Sequence, residues 1–157
     1  MRRSKHGFGI RELALGPVLL FIWGGGAPAL AASSDVNASV YSKVADAEAR
    51  IGHALSARDG KAIATVAGDL GHLIDDAIAR RQGGNAATAC DMAAHSLAYV
   101  AVSLAEGLAD KGDARGVLIE DARAAAADFR GDMQACEKLL RRKPGAHTSV
   151  EKALRAL

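Results

Sequence analysis

Four blocks of apolar residues spaced three and four apart, each closed by glycine or proline, commit this chain to helices that pack on one another. From Ser34 to Arg58 the stripe is Val36, Val40, Val44, Ala47, Ile51 and Leu55, with Ser34 or Asp35 as the expected cap and Asp59-Gly60 as the turn. From Lys61 to Gln82 it is Ile63, Val66, Leu70, Leu73 or Ile74, and Ala77, stopped by Gly83-Gly84-Asn85. From Ala86 to Lys111 it is Cys90, Ala93, Leu97, Val100, Leu104 and Leu108. Asp113 is the expected cap of a fourth helix to about Arg142, whose stripe of Leu118, Ala122, Ala125, Phe129, Met133, Cys136 and Leu140 keeps a seven-residue rhythm. After Pro144-Gly145, Thr148 and Glu151 have capping-box spacing, so Ser149 to Leu157 reads as a short helix or tail. Alternating apolar patterns are absent and alanine dominates, which leaves strands without support. Short connections between long helices predict an all-α fold: an antiparallel four-helix bundle in up-down-up-down order.

The first 31 residues read differently. Arg2, Arg3, Lys5 and Arg11 make a basic start, an apolar run from Leu13 to Trp23 follows, and Ala29-Leu30-Ala31 has the small-x-small pattern of a signal-peptidase site. The uncharged stretch from Leu13 to Ser34 is long enough to cross a bilayer, but Gly16-Pro17, Gly24-Gly25-Gly26 and Pro28 would interrupt a spanning helix. The expectation is a cleavable signal at 1–31, a single helical domain at 32–157, and a periplasmic or secreted protein of bacterial type with no stable membrane anchor after cleavage. Of 20 basic and 18 acidic side chains, four and one leave with the signal; the remaining 16 and 17 give a net charge of −1. With only Tyr41, Tyr99 and Phe129 as aromatics, such a domain has no base-stacking surface, so nucleic acid is not an expected partner.

Export turns the two cysteines into an expected disulfide. Cys90 and Cys136 lie on the apolar stripes of the third and fourth helices, and their midpoint, residue 113, coincides with the turn at Gly112-Asp113. Residues equidistant from the turn of an antiparallel hairpin come level, so the two sulfurs face each other at its open end.

Candidate chemistry is sparse. Asp69, His72 and Asp76 share one side of the second helix and are the metal candidate, with His53 on the first helix as a further ligand. The same spacing produces an ordinary solvated face with local ion pairs. His95 stands four residues from Asp91 and is expected to pair with it, and Met92 and Met133 are expected to touch across the hairpin. A haem held between those methionines and His53 or His95 is the outside alternative. Lys138 and Arg141-Arg142-Lys143 suit the negative end of the fourth helix without any ligand. No nucleophile elbow or phosphate-binding loop occurs, and no cofactor is expected.

The expected function is therefore that of an exported, non-enzymatic helical binding protein of chaperone, stress or immunity type, its partner another protein. The alternatives are a small ligand or metal carrier using the bundle, and a small all-helical enzyme gripping an anion with Arg50, Arg58, Arg115, Arg123 or Arg130.

Overall fold

The structure, a computed structural model, describes the backbone from Ala27 and side chains from Ser33 onward; most of the expected signal lies outside these residues. Five helices follow: α1 (Ala27–Ser56), α2 (Gly60–Gln82), α3 (Ala89–Ala109), α4 (Ala114–Leu139) and α5 (Ser149–Leu154), with no strand among the described residues.

The stripes read from the sequence are the buried faces. Val40, Val44, Ala47, Ile51 and Leu55 of α1 enclose a core with Ile63, Val66, Leu70, Leu73, Cys90, Ala93, Leu97, Val100, Leu104, Ala122, Ala125, Phe129, Met133 and Cys136. Each fully buried Leu, Ile or Phe here contributes about 1.5–3 kcal/mol relative to exposure. Val36 departs from its stripe and is exposed, and Ile119 rather than Leu118 is the buried residue in the first turns of α4.

Helix starts differ from expectation in three places, one being α3, which begins at Ala89 rather than Ala86. α1 begins at Ala27 rather than at Ser34 or Asp35, so its helix runs through the expected cleavage point. The run Ala29-Leu30-Ala31-Ala32 favours helix, and Pro28 falls in the first turn, where a missing N–H breaks no helical bond. Asp113 makes no side-chain cap for α4, because its own backbone is already helical. Asp59 does cap α2 by accepting the Ala62 N–H, and Thr88 forms a capping box with Asp91 at the start of α3.

α3 packs on α1, α2 and α4, most extensively on α4. Arg80 at the end of α2 pairs with Asp91 at the start of α3, while Gly60 at the other end of α2 lies against Leu108. Between α3 and α4 the Cys90–Cys136 disulfide, with Cα atoms 4.6 Å apart, closes the open end of the hairpin, and Gly107 meets Leu118 near the turn. These are contacts of antiparallel neighbours and are compatible with the up-down-up-down order. The fourth seam is different. α1 and α4 touch only sparingly, and α5 packs against both of them, burying Val150 and Leu154.

Candidate functional site

The seam filled by α5 holds a buried constellation that no linear motif announces. Glu48 projects from the apolar stripe of α1, between Val44 and Ile51, and Glu137 follows Cys136 on the inner side of α4. α4 ends with Arg141 in a left-handed conformation (φ 55°) and the Arg142 N–H donating to the Glu137 carbonyl at 2.8 Å. That reversal, followed by Pro144-Gly145, returns the chain over the seam and delivers His147 between the two carboxylates.

His147 Nδ1 lies 2.9 Å from Glu48 Oε2, and Nε2 lies 3.0 Å from Glu137 Oε1. The remaining carboxylate oxygens are also occupied. Glu48 Oε1 accepts the Ser149 N–H at 3.2 Å and the Ser149 hydroxyl, so Glu48 stabilises the start of α5 in place of Thr148, whose side chain makes no cap bond. Glu137 Oε1 also accepts the Tyr41 hydroxyl at 3.0 Å, and Oε2 accepts the Gly145 N–H at 2.7 Å. Tyr41 and Phe129 stand edge-on to the imidazole, at centroid distances of 6.5 and 6.2 Å. The Arg142 guanidinium sits 4.4 Å above the Tyr41 ring.

Charge and burial decide the state of this cluster. The side chains of His147, Glu48 and Glu137 are only 9%, 8% and 2% exposed. Burial disfavours the charged imidazole, but the hydrogen bonds and attraction of Glu137 and Glu48 outweigh it and hold the ring above the ordinary histidine range. Burial likewise opposes ionised Glu137, and donation from His147, Gly145 and Tyr41 pulls its carboxyl below the ordinary range. Tyr41 is pushed up, first by its own burial and then by its bond to Glu137. Both directions favour a protonated ring between the two glutamates, and the geometry suits an imidazolium that donates from Nδ1 to Glu48 and from Nε2 to Glu137.

Two backbone features show how tightly the site is specified. His147 has a φ of 43°, a left-handed conformation that costs a non-glycine residue about 1 kcal/mol or more. A Cβ at Gly145 would lie 2.8 Å from His147 Nε2 and 3.1 Å from Glu137 Oε1, so any larger residue there would push the imidazole or the carboxylate out of place. General acid–base work requires a group within hydrogen-bond reach of a substrate. Here each ring nitrogen faces a carboxylate, and the cluster ties α1, α4 and the C-terminal segment together.

The residues singled out from the sequence lie elsewhere. Asp69, His72 and Asp76 are exposed along an open groove between α1 and α2, where Asp69 is paired with Arg50 at 2.9 Å. Among the described residues no group of three or more His, Cys, Asp or Glu side chains is arranged to hold a metal ion. His53 lines a neighbouring groove beside Asp59 and Thr65. His95 is exposed, and Asp91, its expected partner, instead binds Arg80 at 2.6 Å and caps α3 through Thr88. Met92 is exposed whereas Met133 is buried in the core. The signal for the missed site was the placement of Glu48 and Glu137 on apolar faces, since a carboxylate at a core position requires a cation or donors brought from elsewhere.

Compared with protein-family models, with curated proteins and with solved structures, the chain matches none.

Proposed function

We propose that this chain is an exported interaction protein of chaperone, stress or immunity type that acts through its surface on another polypeptide rather than by catalysis. The observation that supports it is the saturation of the Glu48–His147–Glu137 cluster: the groups best suited to chemistry are sealed and engaged in fastening the C-terminal segment. A disulfide across the α3–α4 hairpin accords with an oxidising compartment. A small-molecule or metal carrier, by contrast, would use the groove of Asp69, His72 and Asp76, where Arg50 would have to release Asp69.

The test is native mass spectrometry of the protein recovered from the exported fraction of its own cells. The interaction protein is expected as a chain starting at Ala32, two hydrogens light and free of small ligands. A stoichiometric metal or organic ligand overturns this proposal in favour of a carrier.

A further inference from the structure

α3 has more apolar character than the core uses. Its sequence contains no Lys or Arg, and its composition would suit a membrane span, yet only 50% of its most apolar stretch is buried in the bundle. The surplus is on one face. Met92, His95, Tyr99, Val102 and Glu106 follow one another at spacings of three, four, three and four, and all are exposed; Met92, Tyr99 and Val102 reach 47%, 52% and 43%.

The neighbouring flank of α4 is acidic. The Ser96 hydroxyl donates to Asp132, which sets Asp121, Asp128 and Asp132 beside the α3 stripe, on an α4 flank that also carries exposed Val117 and Leu139. Glu106, Asp121 and Asp128 enter no ion pair among the described residues, whereas Asp69, Asp91, Glu120 and Glu151 each pair with an arginine. Neither the exposed α3 stripe nor this α4 flank carries a lysine or arginine. An apolar ridge beside unpaired carboxylates, with no cation of its own, is complementary to a helix with apolar residues on one side and Lys or Arg on its edges.

We infer that the α3–α4 face docks a basic amphipathic helix of another exported polypeptide, its apolar side seated on Met92, Tyr99 and Val102 and its cations over Glu106, Asp121 and Asp128. A second copy meeting this face symmetrically would set carboxylates against carboxylates, and anionic lipid would be repelled in the same way. The inference rests on the interaction-protein proposal and names its partner's chemistry.

The probe is a synthetic helix of about 18 residues, long enough to cover the ~21 Å from Met92 to Glu106. Leucine occupies one side and lysine the other, and a leucine–glutamate peptide serves as control. Titrated into isotope-labelled protein, the lysine peptide is expected to shift resonances of residues 92–106 and 117–139. Tyr99→Ser, and separately Asp121→Lys with Asp128→Lys, are expected to weaken binding at least tenfold with unchanged circular dichroism. Shifts centred on another face, equal binding of the glutamate peptide, or self-association that Tyr99→Ser abolishes would each overturn the assignment. Native mass spectrometry of the same sample separates the two failures. A stoichiometric small ligand removes the interaction-protein proposal itself, whereas a ligand-free protein that ignores the peptide removes only this face.

Discussion

Replacing His147 by alanine removes the one cation between two buried carboxylates, and the structure sets the size of the loss. Two charge-assisted hydrogen bonds disappear, at 2.9 and 3.0 Å. Bonds to charged groups contribute about 1.5–3 kcal/mol each, and removing one member of a buried ionic cluster costs about 3–5 kcal/mol because the charge left behind is unpaired. Glu48 keeps Ser149, and Glu137 keeps Tyr41 and Gly145, so the lower end applies: about 3 kcal/mol. Burial of all three side chains leaves little solvent screening to reduce that figure. The pH dependence follows from the same groups. His147 is raised in the fold, so its contribution is complete below the ordinary histidine value of 6.5 and is lost as pH rises through the folded value. Glu137 is lowered, so its contribution is complete above the ordinary value of 4.5 and is lost as pH falls through the folded value. The cluster therefore stabilises most between these limits. Urea denaturation followed by circular dichroism should show His147→Ala less stable by about 3 kcal/mol at pH 6, with the gap narrowing as pH rises above 6.5. A loss below about 1 kcal/mol, or a gap that does not narrow, would refute the bridging imidazolium.

Other regions give independent tests. Cys90 and Cys136 are 46 residues apart, so replacing both with serine should lower stability by about 4 kcal/mol while the helical signal persists, as read by thermal melts with and without reductant. A Cβ on Gly107 would approach Leu118 Cβ to 3.1 Å and Ile119 Cδ1 to 3.2 Å, so Gly107→Ala should destabilise by about 1–3 kcal/mol. Gly68 and Gly71 have open space around that position, and alanine there should stabilise each site by about 0.5–1 kcal/mol; urea midpoints of the three variants check the opposite signs. Gly145→Ala should mimic His147→Ala in its pH profile, since its new methyl group occupies space held by the imidazole and Glu137.

The helical framework was legible in the sequence because burial and periodicity express the same constraint: Val44, Ile51, Leu70, Leu97 and Phe129 recur at helical spacing and all reach the core. The disulfide was legible for a related reason, as Cys90 and Cys136 are equidistant from the turn between α3 and α4. Local pairs were harder to assign. Asp91 has His95 four residues ahead, yet Arg80 from the preceding helix reaches it, and i,i+4 spacing carries no information about a cation arriving from another element. The central cluster was hidden for the same reason in a stronger form. His147 is separated by 99 residues from Glu48 and 10 from Glu137, and it lies in a connection whose left-handed turns at Arg141 and His147 occur without glycine. Glu48 and Glu137 on their apolar stripes were the available trace, and they called for a cation that the sequence does not locate.

Nuclear magnetic resonance of the His147 ring nitrogens at pH 7 bears most directly on the fastened seam. A charged bridge between Glu48 and Glu137 predicts both Nδ1 and Nε2 protonated, with both N–H protons slow to exchange. A singly protonated ring at that pH, or a ring exchanging freely with solvent, would contradict it.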